Sequence, residues 1–522
     1  MIDDMIKNLP KNERDAIKKM MKVLPRMEVE DINSAKSYSR RRILLKGDTV
    51  HKLVIDNSAP YIGLIIHLIP HFKNLKYLDL SNNKLTDFPN QITKLQSLEE
   101  LSLYSNEITN IPKNISNLKS LLTLKISKNY LSRIDKSIGE LKSLYSLDLS
   151  HNYMKDLPDT FRQLTKLEKL DASHNELIDV PKFLKDLTSL NVLNLSNNKI
   201  TEIPTFLKAL VTLRKFNLSY NQIKALPNEN PFCTKLRELN LEKNEIPKIK
   251  PWFAELLSLE ELILNENKID EFSDALFHLT RLKQLDLGNN KLEKLNGPFQ
   301  NFNRLETLNL SNNKIDKIPE NFGSISNLSN LKLNGNNITE LPESFCSLTK
   351  LETLMLEENS LDTLPKSFNK LNNLRKLNVK HNPLKNLYPE INYYQNVFEL
   401  HNDKIKNMMA SIPEVYNIVL LKNAKEVYLF ALNPTLAKNI DKIAFSAAIS
   451  NLAIDKVKSI LRLQISEQLF VRFGAHYIFI VSCSKNKILL FVTHDSIKLG
   501  LVFLDTKRLI ESFDELPYVA EV

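Results

Sequence analysis

The sequence predicts an α/β molecule in two parts: a long solenoid of short strands, then a small separate α/β domain. Three observations carry this. Asparagine recurs every 23 residues from Asn83 to Asn382, fourteen times without a gap. Each of these residues closes the pattern Leu-x-x-Leu-x-Leu-x-x-Asn, which opens at Leu75 and again at the same interval down to Leu374. After Leu387 the pattern stops, and from Ile391 asparagine thins while Ile, Val and Phe increase. Repetition at such a period marks a solenoid, in which each unit buries its apolar face against the next.

Taken in order, residues 1–49 are expected to form an N-terminal helical cap. Ile17, Met20, Met21 and Leu24 have helical spacing, which predicts a helix over residues 12–24. End repeats expose an apolar face, so the array needs such a cap. Arg40, Arg41 and Arg42 form the one dense basic run. Contact with nucleic acid or an anionic membrane is one reading. A solvated surface beside the cap is the simpler one, because no aromatic residues accompany the run. Val50, Leu53 and Ile55 then imitate the strand pattern 25 residues before Leu75, with Ser58 where asparagine is expected. They predict a first, atypical repeat.

The solenoid is expected over residues 50–392. Leu-x-x-Leu-x-Leu alternates, so it reads as a strand with leucines inward. In the first full repeat Leu78 and Leu80 point in, and Tyr77, Asp79 and Ser81 point out. The chain must then turn while still buried, which leaves backbone N–H and C=O groups needing partners. An asparagine amide answers both kinds. Asn83, Asn106, Asn129, Asn152, Asn175, Asn198, Asn221, Asn244, Asn267, Asn290, Asn313, Asn336, Asn359 and Asn382 are therefore expected to form a structural ladder. Proline recurs on the return path at Pro89, Pro112, Pro158, Pro181, Pro204, Pro227, Pro319, Pro342 and Pro365. It fixes φ and breaks helices, so the convex side should be loop and short helical turns. Asp135, Lys250, Ser273, Asn296 and Tyr388 stand where that proline is missing, and local irregularity is expected there. This pattern resembles the leucine-rich repeat, which implies a horseshoe built as a binding surface.

With about 4.8 Å between strands, fourteen strands give a concave arc on the order of 65 Å. Asn and Asp dominate the position between the two inward leucines, and neighbouring strands can hydrogen-bond them to one another. The departures mark where a protein partner is expected. Tyr104, Lys125, Lys128, His151, Lys169, His174 and Tyr220 make a patch in the N-terminal half. Ile263 and Met355, flanked by Glu238, Glu242, Glu261 and Glu357, make a second. His151 and His174 occupy equivalent sites in adjacent repeats, with Asp148 and Asp171 nearby. A metal site needs more ligands than this pair supplies, and two surface histidines are the simpler reading.

Residues 393–522 are expected to form a compact α/β domain. The reading is helix (397–412), strands (416–421 and 426–432), helix (436–461), strands (468–473, 476–482 and 487–493) and a last helix (499–513). The apolar strand runs Tyr477 to Val481 and Ile488 to Val492 require both sheet faces to be covered. This order resembles the Roadblock/dynein-light-chain family. So do two stretches: Ile412-Pro413-Glu414-Val415 leading into the first strand, and Lys498-Leu499-Gly500-Leu501 before the last helix. One departure is the first turn, Lys422-Asn423-Ala424-Lys425, which lacks the family's glycine. A longin-type domain is the nearest competitor. The resemblance implies dimerisation, with itself or a relative, through the helix carrying Val457 and the strand carrying Phe470. It also implies binding or regulation of a small Ras-like GTPase. The 23-residue Leu-Pro repeats are similar to those of Ras-binding intracellular proteins, which points the same way.

The chain is not expected to be an enzyme. It has no phosphate-binding Gly-rich loop, no Gly-x-Ser-x-Gly, no His-Glu-x-x-His and only 9 glycines in 522 residues. Cys483 invites comparison with repeat-bearing ubiquitin ligases, but it sits in an apolar strand run, where a packed thiol is expected. No cofactor is implied. The net charge of +10 is spread along the chain. No apolar stretch reaches the ~18 residues that span a bilayer, and residues 1–14 carry charges throughout rather than an apolar leader. Cys233, Cys346 and Cys483 lie far apart, without disulfide-pinned caps, which agrees with a reducing, cytoplasmic setting. The two functional expectations are a scaffold with a GTPase-linked tail, and a recognition or sensing module whose tail only oligomerises it.

Overall fold

In a computed structural model of the protein, residues 2–33, 40–371 and 373–384 are described, together with five strands further on. Two compact units emerge, Met1–Leu387 and Tyr388–Val522.

The first unit opens with helices Ile2–Ile6 and Lys11–Val23. The second helix buries Ala16, Ile17 and Met20 on one face, with Leu24 just beyond it, at the spacing the sequence predicted. The cap is not wholly helical, however. Strand Glu28–Asp31 runs parallel to Arg41–Leu45, which pairs antiparallel with Val50–Ile55. The last of these is the atypical first repeat, with Leu53 opposite Leu78 of the next strand. The physical reason is the sheet edge: a terminal strand presents a row of unpaired N–H and C=O groups, and covering it needs another strand.

Arg41 is correspondingly structural. Its guanidinium donates to the Ser58 hydroxyl at 2.7 Å, to Pro25 O at 3.0 Å and to Asn57 O at 2.7 Å. It ties the cap to the first turn.

Fourteen strands follow, from Tyr77–Asp79 to Lys376–Asn378, each paired parallel with the next. The register is one repeat throughout: Leu78 faces Leu101, and Leu101 faces Leu124. With the cap they make a sheet of seventeen strands.

The asparagine ladder forms as expected, and it has a direction. Asn129 accepts from the Ile108 N–H of the preceding repeat at 2.9 Å. Its amide donates back to Leu103 O of that repeat at 2.9 Å and to its own Ile126 O at 3.1 Å. The same set recurs down to Asn382, which serves Leu361 and Leu356. At the start, Asn83 accepts the Ser58 N–H. Ser58 holds the ladder position without an amide of its own.

Before each ladder asparagine lies a residue in the left-handed region, with φ between +49° and +65°, from Asn82 through Lys128, His151, His174 and Tyr220 to His381. Non-glycine residues adopt that conformation only at a cost. The turn imposes it in every repeat.

The return path is a series of 3-10 turns, such as Lys113–Asn117 and Thr205–Ala209. Asp135 and Ser273 replace proline without irregularity, because their side chains cap the turn by accepting from the Ser137 and Ala275 N–H groups. Lys250 is followed at once by Pro251. At Asn296 the expectation holds: Gly297, at φ +124°, lets the chain pass the Phe277 ring, and the turn shrinks to Phe299–Asn301. An unexpected irregularity follows Pro227, where no 3-10 turn forms. There the Asn230 carbonyl oxygen accepts from the Phe232 N–H, and Trp252 Nε1 donates to Pro227 O at 2.9 Å. Tyr388 lies outside the described residues. Phenylalanines behind the turns pack ring to ring, Phe277 on Phe299 at 5.1 Å and Phe299 on Phe322 at 5.1 Å.

In the second unit, strands Val415–Lys422, Lys425–Ala431, Gln468–Phe473, His476–Ser484 and Lys487–His494 form one antiparallel sheet. The bounds follow the sequence expectation closely. The first strand lies between the second and the fifth, and Gln468–Phe473 is an edge. Phe470 faces Phe479 in register. The three expected helices, and Val457 with them, lie outside the described residues.

Candidate protein-interaction surface

The outward face of the solenoid strands satisfies most of its own polar groups. Asp79, Asp148, Asp171, Asn194, Asn217, Asn240, Asp286, Asn309 and Asn378 each accept from the backbone N–H two residues on. This local Asx bond, more than bonding between strands, explains the column. Cross-strand bonds do form, as from Asn194 to Asp171 at 3.0 Å and from Asn309 to Asp286 at 2.9 Å. The expectation that Ser81 points outward fails. Ser81, Ser127, Ser150 and Ser173 are buried with their hydroxyls on these carboxylates, and Ser196 and Ser219 are buried in the same column beside Asn194 and Asn217, so the position itself is an inward one. The flanks are zipped by exposed ion pairs: Lys76–Glu99 and Arg237–Glu260 along the strand starts, Lys199–Glu176 and Lys268–Glu245 beyond the ladder. Each is worth little alone. Together they show what an unengaged repeat looks like.

Three consecutive repeats break this scheme in several columns at once. Leu122 and Tyr145 stand exposed at the strand starts, in the column that elsewhere carries Lys76–Glu99 and Arg237–Glu260. Lys125 replaces the Asx residue, and Lys169 enters the column before it. Tyr130 and Tyr153, 51% and 52% exposed, take the places that hold Glu176 and Lys199 further along, and their rings lie 6.1 Å apart. Ile178, 57% exposed, follows. Of ten large apolar side chains exposed among the described residues, five fall between Leu122 and Ile178. This concentration of exposed apolar groups makes residues 122–178 the candidate contact surface.

His151 and His174 stack, with centroids 3.8 Å apart and planes 11° from parallel. Burial and the neighbouring His151 hold His174 below the usual histidine pKa, against Asp171. Lys128 lies over the Tyr104 ring at 5.2 Å and Lys169 over Tyr145 at 5.8 Å. Such contacts orient the cations without neutralising them.

Of the residues expected in the N-terminal patch, the structure pairs His151 with His174 and Lys128 with Tyr104, and sets Lys169 over Tyr145. Leu122, Tyr130, Tyr145, Tyr153 and Ile178 were not among the expected residues, because they lie on the flanks, outside the alternating outward positions of the strands. Their signal was legible as the same repeats breaking the flanking columns. Tyr220 stands two repeats further on, under Lys243 at 4.9 Å. The second patch does not form. Met355 is only 9% exposed and Ile263 is half-buried. Glu238 is paired with Lys215 at 2.6 Å, and Glu242 accepts from Asn265. Two of the four acidic residues expected there, Glu238 and Glu242, are thus already engaged.

Among the described residues no three His, Cys, Asp or Glu side chains converge to hold a metal, and no helix is long and apolar enough to cross a membrane. Burial pushes the Cys346 thiol up to about 11, and buried Cys233 donates to Leu213 O. A raised pKa is the opposite of what activates a thiol nucleophile, so Cys346 is a packed thiol.

A solenoid of parallel strands with an asparagine ladder, exposing one aromatic and basic patch, defines a repeat protein that works through its surface. The comparisons place it further. The leucine-rich repeat model matches in six spans, four overlapping over residues 49–177 and two over 211–292. A two-copy leucine-rich repeat form matches residues 165–209, and the leucine-rich repeat region matches 285–402. A leucine-rich-repeat protein of Leptospira interrogans is 36% identical over 67% of this chain and 88% of its own, with a TM-score of 0.63. An internalin from Listeria monocytogenes is 29% identical over 58% of this chain and 86% of its own, with a TM-score of 0.52. The functional domain of InlJ from Listeria monocytogenes, 24% identical over 62% of this chain and 68% of its own with a TM-score of 0.54, shares the fold. No curated protein matches. The chain belongs to the leucine-rich repeat family, whose solenoids generally serve as extended protein-binding surfaces.

Proposed function

We propose that this is a non-enzymatic, cytoplasmic interaction protein that grips a protein partner on the strand face of residues 121–178. The observation that carries the reading is the coincidence of breaks: several otherwise self-paired columns open in the same three repeats. Tyrosine is among the residue types that dominate binding energy at protein interfaces. The buried free thiols Cys233 and Cys346 support a reducing setting. The test is a photo-crosslinking residue placed at Tyr153 or, as a control, at Asn312, in the full chain inside cells. A partner captured from position 153 and not 312, whose affinity falls at least tenfold in Tyr130→Ala/Tyr153→Ala, supports the reading. Equal capture from both positions refutes it.

A second reading concerns the C-terminal unit, and it rests on the Roadblock resemblance. Its support is the antiparallel sheet with the expected strands and an edge at Gln468–Phe473. Sheet edges carry backbone groups with which another chain can pair. On this reading the tail joins a second copy or a relative, and binds or regulates a small Ras-like GTPase. Val457→Asp and Phe470→Asp should then halve the mass seen by light scattering, and unchanged mass would count against the dimer. Binding to GTPases loaded with GDP or a non-hydrolysable GTP analogue separates this from a recognition module whose tail only oligomerises it.

A further inference from the structure

The geometry points to His151 and His174 as a coupled, proton-responsive pair, whose face-to-face stack holds while the rings are neutral and opens when acid charges both. The rings lie 3.8 Å apart and 11° from parallel. Their backbones are pinned: the His151 N–H donates to Ser173 O and the His174 N–H to Ser196 O, each at 2.9 Å, and both residues sit at left-handed φ. The rings can separate only by turning about their own side-chain bonds.

The surrounding charges give two imidazolium rings little relief. Asp171, on the His174 strand, already accepts from the Ser173 N–H and hydroxyl and from the Asn194 amide. Asp148, on the preceding strand, accepts from the Ser127 and Ser150 hydroxyls and the Ser150 N–H. Glu176, in the turn after His174, is paired with Lys199 at 3.1 Å. The same column holds Lys128 before the pair and Asn197 after it, one a cation and one neutral. Like charges stacked at this separation oppose each other, so the pair takes its two protons in separate steps. The direction of the His174 shift, down through burial and then His151, agrees. The consequence is a surface that gains positive charge in the column that follows Lys128 when acidified. This holds whether or not the face docks a partner.

The experiment is a ring-proton NMR titration of the full chain, with His151→Asn and His174→Asn to assign the signals. Asparagine suits the left-handed backbone and already occupies this column at Asn197, so the variants should fold. The expected result is a His174 midpoint below that of a free imidazole, moving up in His151→Asn. In parallel, urea unfolding read by Trp252 emission should show wild type losing stability as pH falls below about 6.5, with a shallower loss in His174→Asn. A His174 midpoint unmoved by His151→Asn, or identical pH slopes in wild type and variant, overturns the proposal.

Discussion

Replacing Asn221 by alanine removes one rung of the ladder, and the structure says which groups suffer. The Ile200 N–H, donating to Asn221 Oδ1 at 3.0 Å, loses its acceptor inside the core. Three carbonyls lose one donor each but keep another, Ser219 O keeping the Asn197 N–H at 2.9 Å. Leu195 O retains the Asn198 amide at 3.1 Å, and Leu218 O retains the Asn244 amide at 3.0 Å. One orphaned buried N–H costs about 1–3 kcal/mol, and the half-served carbonyls add a few tenths each, so the loss should be about 2–3 kcal/mol. Asn221→Asp keeps the acceptor for Ile200 but aims a carboxylate at three carbonyl oxygens. At pH 7 it should be worse than alanine. Its carboxyl would be held above the usual range, because the protonated form can donate; that stability is present at low pH and lost as pH rises through the raised value. Urea unfolding followed by Trp252, the chain's one tryptophan and buried in the next repeat, reads both variants. A loss below about 1 kcal/mol for alanine, or aspartate outperforming alanine at pH 7, would refute the account.

Three further outcomes are expected. Gly323→Ala should cost about 1–3 kcal/mol, because its Cβ would overlap the Ser344 carbonyl, a backbone atom that cannot swing away; urea midpoints check it. Gly335→Ala should lose about 1 kcal/mol to its φ of +65°, whereas Ser105→Gly, relieving a φ of +55°, should stabilise or leave stability unchanged; thermal unfolding of the pair decides. Glu13 is buried in the cap, where desolvation holds its carboxyl above the usual range against the Val50 N–H. Its neutral form is favoured in the fold, so the associated stability is present at low pH and lost as pH rises. Glu13→Gln should raise the melting temperature at pH 7.5 and give no gain at pH 4, measured by circular dichroism.

The solenoid was legible because its period is enforced twice, by the inward leucines and by the ladder, and neither tolerates a slipped residue. The cap was legible only in its helix. Arg41 and Arg42 read as charge, although they lie on the strand that closes the sheet edge. Ser81 was misread because alternation was carried beyond the strand, which ends at Asp79, to a position that is an inward one. The left-handed column left a partial trace in residue type: Asn82, Asn197, Asn289, Asn312 and Gly335 suit it, whereas Lys128, Tyr220 and Glu266 adopt it because the turn compels them. The irregularity after Pro227 was hidden because proline kept the pattern while Asn230 and Trp252 rebuilt the turn. The interaction patch was half legible: its strand columns were visible, while its flanks became meaningful only beside their zipped counterparts.

The direction of the ladder has a consequence for how the chain is made. Asn129 completes the turn of the repeat before it, and so does every rung after it. No repeat is finished until its successor exists. A polypeptide emerging from its N-terminus therefore trails one open turn at its growing end, closed at each step by the next 23 residues. Cutting from the front leaves every remaining turn served, and cutting from the back always strands one. Libraries of shortened chains should feel that asymmetry, with deletions from the C-terminal side of the array the more damaging for the same number of repeats lost.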